Sequence, residues 1–118
     1  MLYNTAGQLV ETLPKHTTFD QSRPAMRQLF VADCMYAISS GAFDGCFIDR
    51  ANYATNVVQD GGNATGYWDL PTALRMQAAM RQLFDELMAA AGQDHVILAK
   101  EGVRVEPMDW QQVGRRFG

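Results

Sequence analysis

A chain of 118 residues, 47% hydrophobic and 19% charged, has the composition of one folded domain rather than of a disordered polymer. Its net charge of −3, with no run that gathers the ten Lys and Arg residues into a stripe, excludes the basic surface that phosphate neutralisation demands, so nucleic acid is not expected as a partner. No stretch approaches the ~20 apolar residues of a membrane span. Met1–Thr5 has neither the cationic nor the apolar part of a secretion signal, so a soluble chain with no membrane partner is expected, in a parent protein that could still be secreted.

In chain order, Leu2-Tyr3-Asn4 and Gln8-Leu9-Val10-Glu11 flank the turn Thr5-Ala6-Gly7, which predicts a hairpin over residues 1–14, closed by Pro14. Thr17-Thr18-Phe19 is a brief β-prone run ending in Asp20. A helix starts at Ser22 or Arg23 with Pro24 in its first turn, carries Met26, Phe30, Cys34, Ala37 and Ile38 at near-3.6 spacing, and is capped by Gly41. Gly45-Cys46-Phe47-Ile48 has no polar alternation and predicts a strand covered on both faces. Residues 50–68 are polar and glycine-rich, too long for a simple connection. Asp69 then caps a second helix with Pro71 in its first turn, a stripe of Ala73, Met76, Met80, Leu83, Phe84, Leu87 and Ala91, and Gly92 at its end. His95-Val96-Ile97-Leu98-Ala99 is a further apolar strand, followed by the turn Lys100-Glu101-Gly102 and the start of a third helix from Pro107.

Strands alternating with helices imply parallel pairing through right-handed crossovers. The expected fold class is therefore α/β: a partial (β/α) barrel of about three consecutive βα units with parallel strands, after an N-terminal hairpin. It forms a single domain over residues 1–118, with the hairpin in 1–14 and the βα units in 15–118. A whole eight-unit barrel needs ~250 residues, so the chain reads as a fragment of a larger TIM-type barrel. Gly-x-Gly-x-x-Gly after a strand and a Walker-type loop are both missing, and no cofactor is expected.

Parallel α/β folds bind ligands beyond the carboxyl ends of their strands. Three predicted strands end in acids there: Asp20, Asp49 and Glu101. Two carboxyl groups flanking a glycosidic bond suffice for its hydrolysis, one as proton donor and one as nucleophile or base. Asp49 is the leading candidate, because no helix begins after it; its alternative is an Asx turn leaving the strand. Asp20 could instead favour the positive end of the helix that follows, and Glu101 could be a turn residue paired with Lys100 or Arg104. Arg50, Asn52 and Tyr53 leave the strand beside Asp49 as candidate substrate contacts. Tyr67 and Trp68 offer flat faces for a sugar or, equally, pack the long loop onto the second helix. Asp44 reads as a strand-entry turn residue.

The runs Phe19-Asp20-Gln21-Ser22-Arg23-Pro24-Ala25-Met26-Arg27 and Ser40-Gly41-Ala42-Phe43-Asp44-Gly45-Cys46-Phe47-Ile48-Asp49 resemble the central segment of glycoside-hydrolase-like (β/α)8 barrels, the likeness extending from Thr17 to Glu101. The resemblance implies a carbohydrate substrate and casts Asp49 as nucleophile or principal substrate-binding acid. In α-amylase-like enzymes a glutamate from the following strand is the general acid, which maps onto Glu101. Phe47 stands where that family has arginine. The catalytic pair expected is thus Asp49 and Glu101, with Asp20, Arg50, Asn52, Tyr53 and Trp68 binding substrate.

Cys34 and Cys46 read first as small hydrophobes in the core, with a disulfide or a reactive thiol as alternatives. With His16 and His95 far apart there is no zinc-ligand spacing, and no metal is expected. The rival to a hydrolase is a non-catalytic carbohydrate-binding or self-associating α/β module, its open sheet edges pairing with another chain. A third reading, metal-assisted hydrolysis with the acids as hard-cation ligands, would be sensitive to a chelator.

Overall fold

The computed structural model describes residues 1–13, 16–48 and 67–99. The N-terminal segment turns back at Thr5–Gly7, with Tyr3 bridged to Leu9. Strands β1 (Glu11–Leu13) and β2 (His16–Thr17) then pair antiparallel. Three passes of chain close a ring of backbone bonds: Leu2 N–H donates to Thr18 O (2.8 Å), Thr18 N–H to Val10 O (3.3 Å) and Val10 N–H to Leu2 O (2.9 Å).

Helix α1 spans Pro24–Ser39 and α2 spans Leu70–Ala91. Both begin with proline in the first turn, where a missing N–H is harmless. Asp69 caps α2 by accepting from Thr72 N–H at 2.9 Å. Both helices stop at glycines in the left-handed region, Gly41 (φ 74°) just past α1 and Gly92 (φ 73°) at the end of α2. Strands β3 (Gly45–Ile48) and β4 (Val96–Ala99) pair in parallel, in the register Gly45↔Val96 through Ile48↔Ala99.

Two apolar clusters share α2. Near its start, Ala73 and Met76 pack with Leu2, Val10 and Trp68. Farther along, Met80, Leu83, Phe84, Leu87 and Ala91 pack with Cys34 of α1 and Ile97 of β4, joined by half-buried Phe30, Val31, Met35, Ile38, Cys46, Ile48 and Ala99. The second cluster lies between the two helices and one face of the β3–β4 sheet. Arg27 of α1 reinforces it, its Nε 3.0 Å from Glu86 Oε2 on α2 and its Nη1 donating to Gln21 O and Ser22 O.

This architecture corrects the expected partial barrel. Among the described residues the parallel sheet has two strands, with α1 and α2 on one side of it, and three βα units are not formed. The physical reason lies at both ends of the expected sheet. The β-prone run before Asp20 pairs antiparallel with β1, in a separate sheet, instead of lying parallel beside β3. Among the described residues no element packs on the sheet face away from the helices, where a barrel strand would be covered on both sides: Phe47 is 60% exposed, Val96 52% and Leu98 57%. The third helix expected from Pro107 lies outside the described residues.

The cysteines also differ from their first reading. Buried Cys34 and half-buried Cys46 are joined in a disulfide, so they form a covalent link between α1 and β3 as well as packing.

Candidate functional site

Of the residues singled out for chemistry, Asp49, Arg50, Asn52, Tyr53 and Glu101 lie outside the described residues. The parallel register ends at Ile48↔Ala99, just before Asp49 and just short of Glu101 in sequence. The structure describes Asp20 and Trp68, and it does not bring them together around β3.

Asp20 is buried at the entry to α1. Its Oδ1 accepts from Ser22 N–H at 3.0 Å and from the Ser22 hydroxyl, while its carbonyl accepts from Arg23 N–H at 3.2 Å. Arg23 adds a loose ion pair at 3.8 Å. These bonds form an Asx turn that aims the chain into the helix. Trp68 is 7% exposed and stands against Leu2, Val10, Ala73 and Met76, with Nε1–H donating to Glu11 O at 2.9 Å. Its ring therefore joins the N-terminal hairpin to the first turns of α2. Next to it, exposed Tyr67 has a left-handed backbone (φ 65°), and its carbonyl accepts from Asn4 Nδ2 at 2.8 Å.

Asp69 is held by donors from two separate segments of the chain. Oδ1 caps α2, while Oδ2 accepts from Thr5 N–H at 2.9 Å and from the Thr5 hydroxyl. Burial alone would raise its pKa, but the bonds from Thr5 and Thr72 outweigh that and hold it at about 2. Arg75 supports the same junction, donating to Tyr3 O at 3.1 Å. Three donors from two segments of the chain make this carboxylate a structural clamp between the N-terminal turn and α2. Glu86 is likewise held below the usual carboxylate range, chiefly by its hydrogen bond from Arg27. Among the described residues no group of His, Cys, Asp and Glu is arranged to hold a metal ion, and no helix is long and apolar enough to cross a membrane.

The feature that stands out is the bare sheet face. Side chains alternate across a strand. Cys46, Ile48, Ile97 and Ala99 take the helix side, leaving Phe47, Val96 and Leu98 outside, with Phe43 also exposed just ahead of β3. Gly45 makes the pairing possible, since a Cβ there would lie 1.7 Å from Val96 O. The sequence reading missed this face because a continuous apolar run looks the same whether its second side is covered within the chain or by something else. No protein-family model matches the chain, and no curated protein matches it.

Proposed function

We propose that this chain is a self-associating α/β module that docks a second copy of itself on the outer face of the β3–β4 sheet. The observation that carries this reading is the exposure of Phe47, Val96 and Leu98 on a parallel pair whose other face is packed under α1 and α2. Parallel strands are normally covered on both sides, because each face of such a sheet is apolar. All three outward side chains are uncharged, so the surface is complementary to itself under two-fold symmetry, with no charge to match and none to repel. The edges of β3 and β4, unpaired by other described strands, offer backbone groups beside the same surface.

Three such side chains provide on the order of 300 Å² of apolar surface, less than the roughly 800 Å² per partner of a standard interface. The dimer is accordingly weak and concentration-dependent. The hydrolase implied by the barrel resemblance depends on Asp49 and Glu101, and nothing in the described geometry supports it.

Sedimentation velocity over a concentration series tests the proposal. The wild-type chain should move toward dimer as concentration rises, and Leu98→Glu, which changes an outward side chain, should stay monomeric with an unaltered circular dichroism spectrum. A wild-type chain that is monomeric throughout, or a Leu98→Glu chain that dimerises equally well, sinks it.

A further inference from the structure

We infer that the Cys34–Cys46 disulfide is a redox latch: its reduction undocks α1 from the sheet while α2 keeps its fold. The argument begins with how unevenly the two helices are held. Of the residues of α2, ten are buried; of those of α1, only Arg27 and Cys34. One of these two is a cation tied to Glu86, whose carboxylate lies near the surface, and the other is half of the disulfide. The remaining inward residues of α1, Phe30, Val31, Met35 and Ile38, are only partly buried against the cluster. Packing alone thus holds α1 loosely, and the covalent bond to β3 supplies a large share of its docking.

The bridge closes a short loop, with a sequence separation of 12 between its cysteines. Cross-linking a loop of that size shifts a folding equilibrium by roughly a hundredfold in the chain-entropy account. Cys34 is buried and Cys46 is half-buried on β3, so the Cys46 end of the bridge is the less enclosed of the two. A dithiol reductant attacks there as thiolate, forming a mixed disulfide and expelling the Cys34 thiolate, which takes up a proton. The second thiol of the reductant then displaces Cys46, which leaves as thiolate and is protonated in turn. Two electrons pass to the protein, which ends with two thiols, and the reductant ends as its own disulfide. Freed of the bridge, α1 swings away from Leu83, Phe84 and Leu87, so the complete fold is conditional on an oxidising compartment. The latch does not depend on the dimer, because Cys34 and Cys46 lie on the helix side of the sheet.

The test is amide hydrogen exchange of the full chain, oxidised and after reduction with a dithiol, with free thiols counted in each sample. Exchange in α1 should accelerate by roughly a hundredfold on reduction, the central amides of α2 should slow or hold within about tenfold of their oxidised rates, and reoxidation should restore α1. The Cys34→Ala/Cys46→Ala chain should match the reduced protein and ignore reductant; if it does not fold, the reduction and reoxidation of the wild-type chain decide the matter. Two free thiols before reduction, unchanged α1 protection after it, or equal loss of protection in α1 and α2 would each overturn the inference.

Discussion

Replacing Gly45 by alanine should unpair β3 from β4. A Cβ at this position would lie 1.7 Å from Val96 O, 2.6 Å from Val96 C and 2.9 Å from Val96 N. All three are backbone atoms, so no side-chain rotamer relieves the clash. Regaining ordinary contact requires the strands to part by roughly 1.5–2 Å, more than an N–H···O bond tolerates. The bond from Val96 N–H to Asp44 O, 3.0 Å in length, lies at the point of separation and fails first. Losing two strand bonds at about 1 kcal/mol each, together with part of the burial of Ile97, gives a cost of about 2–4 kcal/mol. For a domain whose whole stability is of the order of 5–15 kcal/mol, that is a large fraction. Urea titration followed by circular dichroism measures it. Gly41→Ala is the comparison: that glycine has open space around it but a φ of 74°, so it should lose only about 1 kcal/mol, from backbone strain. A Gly45→Ala chain within about 0.5 kcal/mol of wild type would refute the claim that the close approach of the strands requires glycine.

Asp69 makes stability depend on acid pH. Its folded pKa, about 2, lies below the ordinary 3.8, so its contribution is fully present above pH 3.8 and is lost as pH falls toward 2. Asp69→Asn should flatten the denaturation midpoint over that window, and an unchanged acid slope would count against the Thr5–Asp69–Thr72 clamp. At the α1–α2 junction the two partners should differ in cost. Arg27→Met removes a buried cation that also serves Gln21 O and Ser22 O, at about 2–3 kcal/mol, whereas Glu86→Gln keeps an acceptor for Arg27 and costs about 1 kcal/mol. Equal losses in thermal or urea unfolding would contradict that ordering.

Both helices were legible in the sequence for local reasons. Proline in the first turn, glycine just after the last, and an unbroken stripe from Ala73 to Ala91 each reflect the backbone or a single face, and none needs knowledge of the partner surface. The parallel pairing of Gly45–Ile48 with Val96–Ala99 follows from their being joined through a helix. The number of strands was not legible. Thr17 carries no mark that distinguishes a parallel neighbour in one sheet from an antiparallel partner of Glu11 in another, since the choice depends on which edge is within reach once the hairpin has formed. The disulfide was within reach of the same reasoning: Cys34 lies on the inward stripe of α1, and alternation turns Cys46 toward the helices, so the two sulfurs face one gap. Trp68 was open between sugar platform and loop packing, and burial among Leu2, Val10 and Met76 favours the packing role.

The division of labour along α2 explains how so small a sheet is held. Met76 belongs to the cluster under the hairpin and Met80 to the cluster under the sheet, and they are adjacent on one helix face. Neither cluster is large, and a parallel strand pair with one bare face has little stability of its own. A continuous helix couples them, because breaking it between Met76 and Met80 would sacrifice backbone bonds in both directions. The clamp of Asp69 and Trp68 at one end, and the Arg27–Glu86 pair at the other, attach the hairpin and α1 to that same helix. The outer side of the sheet is left as an apolar surface that neither cluster covers among the described residues. Phe47, Val96 and Leu98 are each more than half exposed, and that open part of their surface is what the proposed contact with a second copy would cover.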